Sequence, residues 1–407
     1  MNKHKVSRIV IAALLITAVL SMGTFGLAGA KEKPPVHPIP CTDEEFFDSS
    51  DEIEEALVTA VEDEVIQLEA CTYYISRVID VRTAFHGTLR GAGKDLTVIE
   101  ILPDHKIPAV ETWPDYYESH LFLFMVPAGQ KADITMTDLS MLVTDPEPAV
   151  GQTEDPWVVN SLGSYIAVYG NEADTAFERL RLTGSYGFSS DQNVFVAVVV
   201  REDTELMRGN QTFSDVDISH AVIGYDPVNL RDGKIKITGN TFTDIAWRAI
   251  NAWDFDNCQV EITSNEINSP WIWGIGIFQI FYPPEKPSSF LVARNHIVVG
   301  PDEIGIIFVQ GAKDPTMPIV PAYLTITQND IHTTGDGIIV VDDDYSFNGT
   351  ETLNAVISEN NIFLDNASWG AIELIGGQGA RITDNHIYCK GMTGINMGIF
   401  PEYGERV

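Results

Sequence analysis

Six segments in the second half of the chain repeat one pattern of apolar and polar positions: IKITGNTF (235–242), VEITSNEI (260–267), FLVARNHI (290–297), LTITQNDI (324–331), AVISENNI (355–362) and ARITDNHI (380–387). Each sets apolar side chains at alternate positions, then an asparagine three places after the last of them, then an apolar residue two further on. The asparagines are Asn240, Asn265, Asn295, Asn329, Asn360 and Asn385, spaced by 25, 30, 34, 31 and 25 residues. Alternation with period two predicts strands buried on one face. A second strand follows each motif: RAINAWD (248–254), GIGIFQ (274–279), GIIFVQ (305–310), GIIVVD (337–342), GAIELI (370–375) and GINMGI (394–399). Looser copies precede them: HLFLFMV (120–126), SYIAVY (164–169), VFVAVVV (194–200) and HAVIGYD (220–226).

Ten such copies across 51–407 predict about ten rungs of roughly three short strands each, with no helix between them. One unit cannot bury its apolar face alone, but stacked units share a continuous core. The expected fold is all-β, a solenoid whose rungs lie ~4.8 Å apart. The asparagines are expected to be structural. Asn tolerates left-handed backbone geometry at a bend, and its amide can hydrogen-bond the Asn of the next rung. Residues 51–62 predict a helix, with Ile53, Leu57 and Ala60 on one side and acids in its first turn. It would cap the open end of the solenoid.

The helix, VIQLEACTYY (65–74), GTLRGAGKDLTVI (87–99) and the Asn coils together resemble the pectate-lyase-like right-handed parallel β-helix superfamily. The resemblance covers most of 51–407 and implies a right-handed solenoid. It implies no single activity, because the superfamily holds polysaccharide lyases, glycosidases, epimerases, esterases and non-catalytic surface proteins. The paired Asp-Asp and Gly-His-Gly of galacturonan hydrolases are missing, and only fragments remain at Asp336 and Arg381.

Stacked rungs turn equivalent positions into surface columns. Aligned on its inward residues, the second strand gives an exit column of Glu202, Asp226, Asp254, Gln279, Gln310 and Asp342. An outward column reads Arg201, Tyr225, Trp253, Phe278, Val309 and Val341, and an entry column reads His220, Arg248 and Trp273. Carboxylates on successive rungs repel, so one pKa should rise unless a cation compensates. Glu202, Asp226 and Asp254 are thus candidate catalytic acids, flanked by Arg248 and His220. Alternatively their oxygens hold Ca²⁺ while Arg248 or Arg201 meets a substrate carboxylate. Tyr225, Trp253, Phe278 and Trp273 are candidate sugar-stacking residues. Trp271 and Trp369 lie on the same flank. Asp342, Asp343 and Asp344 open the 342–354 insertion as a further candidate Ca²⁺ site, against the plainer reading of a solvated acidic loop.

Charge narrows the partners. The chain has 58 acids against 25 Lys plus Arg, a net −33. Such a surface repels nucleic acid and offers nothing to anionic lipid, but it suits cations and neutral or cationic substrates. Lys3, Lys5 and Arg8 precede the apolar run Ile9–Leu20 and the small residues Ala28-Gly29-Ala30, the layout of a signal peptide over 1–30. Residues 31–50 are expected to be a linker, and the body a secreted or cell-surface protein. Four cysteines are too few for a disulfide scaffold, though Cys41 and Cys71 could join. The expected function is binding of a polysaccharide along a lateral face, with lyase or glycosidase cleavage as the chemistry such a site could add. The alternative is a non-catalytic scaffold or adhesin, since the chain stops at Val407 just after a second-strand copy and its open end could pair with a protein partner. A metal-binding role is the weakest reading, because nine His form no cluster along the sequence.

Overall fold

The computed structural model describes residues 33–42, 44–102, 107, 119–143, 162–184, 194–201, 206–269, 273–281, 284–300, 303–311, 320–343, 354–365, 370–375, 380–389 and 394–398. Residues 36–407 form one compact unit. Its strands fall into three parallel sheets of 12, 12 and 11 strands, and the chain visits them in turn as a right-handed parallel β-helix. Sheet A runs from Val36–Ile39 to Arg381–Thr383, sheet B from Thr72–Ile75 to His386–Cys389, and sheet C from Ile79–Val81 to Ile395–Gly398. Among the described residues sheet B counts eleven rungs, one more than the copies visible in the sequence.

Like stacks on like within the coil. In sheet A, Phe177, Phe213, Ile237, Ile262, Val292, Ile326 and Ile357 lie in one register column, all fully buried. Larger rings also pack in the bore: Tyr225 stacks on Phe213 at 4.3 Å, and Phe255, Phe290 and Phe308 meet edge to face.

Helix α1 (Ser50–Thr59) buries Ile53, Ala56 and Leu57 over the first rung. It is fastened by Arg77, which pairs with Asp51 at 2.6 Å and Glu54 at 2.5 Å. Residues Val36–Ile39, inside the expected linker, instead form the first strand of sheet A by pairing with Glu64–Leu68. The Cys41–Cys71 disulfide closes just beyond that strand.

The asparagines form a continuous ladder at the bend between sheets A and B. The Nδ2 of Asn240 donates to Oδ1 of Asn265 at 2.9 Å, and the contact repeats through Asn295, Asn329, Asn360 and Asn385 at 2.9–3.0 Å. Each of these oxygens also accepts the backbone amide of the Asn one rung before it. The left-handed residue is not the asparagine but the one preceding it: Gly239, Ser264, Arg294, Gln328, Glu359 and Asp384 all have φ between 57° and 68°. The turn sits one place earlier than the sequence suggests, because the Asn side chain must point inward to reach the open carbonyls.

Candidate functional site

The outer face of sheet C gathers the candidate chemistry on three strands, Ile223–Arg231, Arg248–Asp256 and Trp273–Gln279. Their register aligns Ile223 with Arg248 and Trp273, and Val228 with Trp253 and Phe278. The expected entry pair Arg248–Trp273 and the neighbours Trp253–Phe278–Val309–Val341 are therefore side by side. The strand of the preceding rung is displaced by three residues from its expected alignment. His220 is replaced at the entry by Ile223 and lies in the turn before the strand, 3.5 Å from Asp244. Tyr225 points into the core against Phe213, so it cannot be a sugar platform, and Val228 takes its expected place.

The carboxylate column is broken for the same reason. Val199 pairs with Asp226, and Asp226 hydrogen-bonds Asn251 on the next rung, three residues ahead of Asp254. Asp254 instead follows the Trp253–Phe278 pair and sits beside Gln279. One Asp254 oxygen accepts the amides of Ile280 at 2.7 Å and Phe281 at 3.0 Å, holding the segment after the strand. With Asp226 and Asp254 out of register, the stacked-acid cradle for Ca²⁺ is not formed by this pair. Glu202, Asp344, Trp271 and Trp369 lie outside the described residues, as does the side chain of Asp343. Asp342 is in register with Gln310 and Gln279.

What the register does bring together is Asp226, Asn251 and Arg248. Asn251 Nδ2 donates to Asp226 Oδ1 at 2.7 Å, and Arg248 Nη1 donates to Asn251 Oδ1. All three are at most 5% exposed. Burial raises the Asp226 pKa to about 6, against the opposing pull of Arg201, the Asn251 hydrogen bond and Arg248. Burial also lowers the Arg248 pKa to about 9, and Asp226 offsets part of that. The guanidinium lies between two indoles, 3.9 Å from the ring centre of Trp247 and 4.0 Å from that of Trp273, with Phe278 at 4.8 Å. Rings so placed stabilise a cation that has been stripped of water. Trp253 stacks on Phe278 at 4.4 Å and reaches Phe281, which is 47% exposed, at 5.3 Å. The result is an aromatic patch with one buried cation and one buried carboxyl beneath it.

Asn251 and Trp247 were not singled out in the sequence, although Trp247-Arg248 adjacency and an Asn three residues later are visible there. Further polar side chains occupy this face. His120 Nδ1 and Ser164 Oγ are 2.8 Å apart on adjacent rungs, both buried. Near the other end, burial and then the nearby Asp336 raise the pKa of Glu373.

No family model and no curated protein matches this sequence. Among solved structures it is similar to the A-module of the Azotobacter vinelandii mannuronan C-5 epimerase AlgE4, with 14% identity over 88% of this chain and 96% of that one and a TM-score of 0.42. A surface adhesin of Streptococcus pneumoniae, PfbA, is 11% identical over 88% of this chain and 93% of its own, with a TM-score of 0.42. The catalytic unit of a Streptomyces thermodiastaticus α-1,3-glucanase is 12% identical over 91% of this chain and 68% of its own, at a TM-score of 0.43. Likeness at this level says nothing of what the chain acts on. The three parallel sheets and their register make it a right-handed parallel β-helix protein.

Proposed function

We propose that the protein is an exported polysaccharide-binding β-helix. A glycan lies across Trp253, Trp273 and Phe281 on the outer face of sheet C, and Asp226 exchanges a proton with it. The supporting observation is the Asp226–Asn251–Arg248 relay under those rings. Aromatic faces offer sugar rings an apolar contact, and a carboxyl with a pKa of about 6 is ionised yet basic near neutral pH. Of the two chemistries expected, lyase-type proton abstraction fits better. A glycosidase needs two carboxyls ~5–9.5 Å apart on either side of one bond, and Asp254 is engaged by two backbone amides. A lyase needs one base and a cation to neutralise a uronate carboxylate, and Arg248 and Arg201 flank Asp226, a local pair of cations on a surface whose net charge of −33 otherwise disfavours polyanions.

The test is incubation with pectate, alginate, chondroitin-like and neutral glycans, following ultraviolet absorbance of unsaturated products. Activity on one uronate polymer, lost in Asp226→Asn while binding persists, is the expected result. Trp253→Ala should weaken binding about tenfold, the worth of one aromatic contact. Binding to none of the panel would overturn the reading. Binding with no product, unaltered in Asp226→Asn, would favour a non-catalytic scaffold. That alternative draws on the apolar strip beyond Phe278, where Ile307 and Ile339 are 8% and 7% exposed and pack with Val309 and Val341.

A further inference from the structure

The residue after each ladder asparagine emerges on the outer face of sheet B. On two neighbouring rungs these residues are His296 and Asp330, which stand in register. His332, two residues beyond Asp330, leaves its strand on the same face, opposite Val298. Three side chains 34 and 36 residues apart in sequence thus converge, although no His cluster is visible along the chain. His296 Nδ1 lies 3.0 Å from Asp330 Oδ2, and His332 Nε2 lies 3.3 Å from Asp330 Oδ1. One donor atom from each can be chosen with all three within 4.8 Å of one another.

We propose that His296, Asp330 and His332 bind a divalent transition-metal ion of the zinc or copper type. The donor set argues the class: two imidazole nitrogens and one carboxylate suit Zn²⁺, Cu²⁺ or Ni²⁺, whereas Ca²⁺ and Mg²⁺ take oxygen ligands. Donors ~2.0–2.1 Å from a tetrahedral ion lie about 3.4 Å apart, so side-chain rotation alone closes the widest separation. Exposure of 40–49% for the three side chains leaves room for the ion and for water or an external ligand in its open positions.

The platform beneath is rigid. Asn295 and Asn329, adjacent to His296 and Asp330, are ladder members joined at 2.9 Å. The His332 ring is stacked on Phe363 at 4.4 Å and 14°, and Phe363 on Tyr388 at 4.6 Å. Glu266 is in register with His296 on the next rung and exposed, a carboxylate on the same column. The net charge of −33 draws cations to this surface. The plainer account is that Asp330 only accepts hydrogen bonds from two imidazoles. The two accounts separate in solution, since only the first requires a stoichiometric ion.

The experiment is calorimetric titration of the full chain with ZnCl₂, alongside the double variant His296→Ala/His332→Ala and the single variant Asp330→Asn. The wild type should take up one Zn²⁺ and melt at a higher temperature in its presence. The double variant should lose that binding, and Asp330→Asn, which alters a direct ligand, should weaken it by at least the roughly 10–100-fold that loss of an outer-shell partner costs. The substituted side chains are surface ones, and circular dichroism with the metal-free melting temperature establishes that each variant is folded. Histidine resonances provide a second readout: Cu²⁺ at substoichiometric amounts should broaden His296 and His332 before the other imidazoles. Zn²⁺ binding equal in wild type and double variant, or no binding by the wild type, would overturn the site.

Discussion

The bend between sheets A and B and the outer face of sheet C are built from the same rungs, yet they are pinned by different physics. At the bend, every register is held by side-chain amides that satisfy backbone groups one rung away, from Asn240 to Asn385. On sheet C the described outward residues share no repeated anchor, and His120, Asp226 and Glu373 differ from rung to rung. One surface is specified by the fold, and the other is free to carry chemistry. The contrast predicts that substitutions at the bend act on stability, whereas those on sheet C act on charge and binding.

The largest effect should come from Asn295→Ala. Its amide donates to Ile262 O and Asn329 Oδ1, and its oxygen accepts both the amide and the Nδ2 of Asn265. Removal leaves two or three buried groups unpaired, each costing roughly 1–3 kcal/mol. A loss of about 3–5 kcal/mol in chemical unfolding is expected. A loss under about 1 kcal/mol would mean that the rungs do not depend on the ladder, and the comparison would fail.

Asp226 supplies the opposite signature, in pH rather than in bulk stability. Its pKa is raised from 3.8 to about 6 by burial, so folding favours the protonated form. Below the unfolded pKa both states are protonated and the group is neutral to stability. As pH rises from about 4 to 6 the unfolded state releases its proton first, so this group progressively destabilises the fold, by at most about 3 kcal/mol. Relative to Asp226→Asn, the wild type should therefore lose stability across that window and run parallel above it. Parallel curves throughout would show that Arg201 and Arg248 fully neutralise the carboxylate.

The same division decides what was legible in the sequence. The solenoid, the helix at its start and the structural asparagines could be read because each follows from a local rule repeated many times. The relay could not be, because it depends on one rung's register. In HAVIGYD the apolar Val222 and Ile223 look like inward residues, but they pack on the outer face of sheet C with Val196 and Val199. Where the outside of a sheet is itself apolar and buried, hydrophobicity no longer reports which side a residue faces, and the alignment slips by three. The His296–Asp330–His332 cluster was readable in principle from the positions following Asn295 and Asn329. It is hidden along the chain because its members stand on two rungs, 34 and 36 residues apart, and meet only when those rungs are set in register.

Asp254 sharpens the comparison from within sheet C. It has φ of 48° and caps two amides, so it behaves like a bend residue on the chemical face. Asp254→Ala should cost about 2 kcal/mol by leaving those amides without their acceptor. Asp254→Asn, which keeps an acceptor oxygen, should cost little and leave glycan binding as in the wild type. Loss of activity in a stable Asp254→Asn would restore the paired-acid reading.

The smallest effect tests how far the ladder's strength depends on burial. Asn385 accepts the Asn360 amide and Nδ2 and donates to Ile357 O in the way Asn295 does on its own rung, but its other donation goes to Thr383 O rather than to a further Asn, and it is only partly buried. Water can reach groups that its removal would orphan, so the penalty shrinks toward that of an ordinary solvated hydrogen bond. Asn385→Ala should cost about 1 kcal/mol, several-fold less than Asn295→Ala, when both are measured by the same denaturant titration. Equal costs would mean that the ladder works as a single cooperative chain, in which breaking any link is felt by all, rather than as a series of local caps weighted by their distance from water.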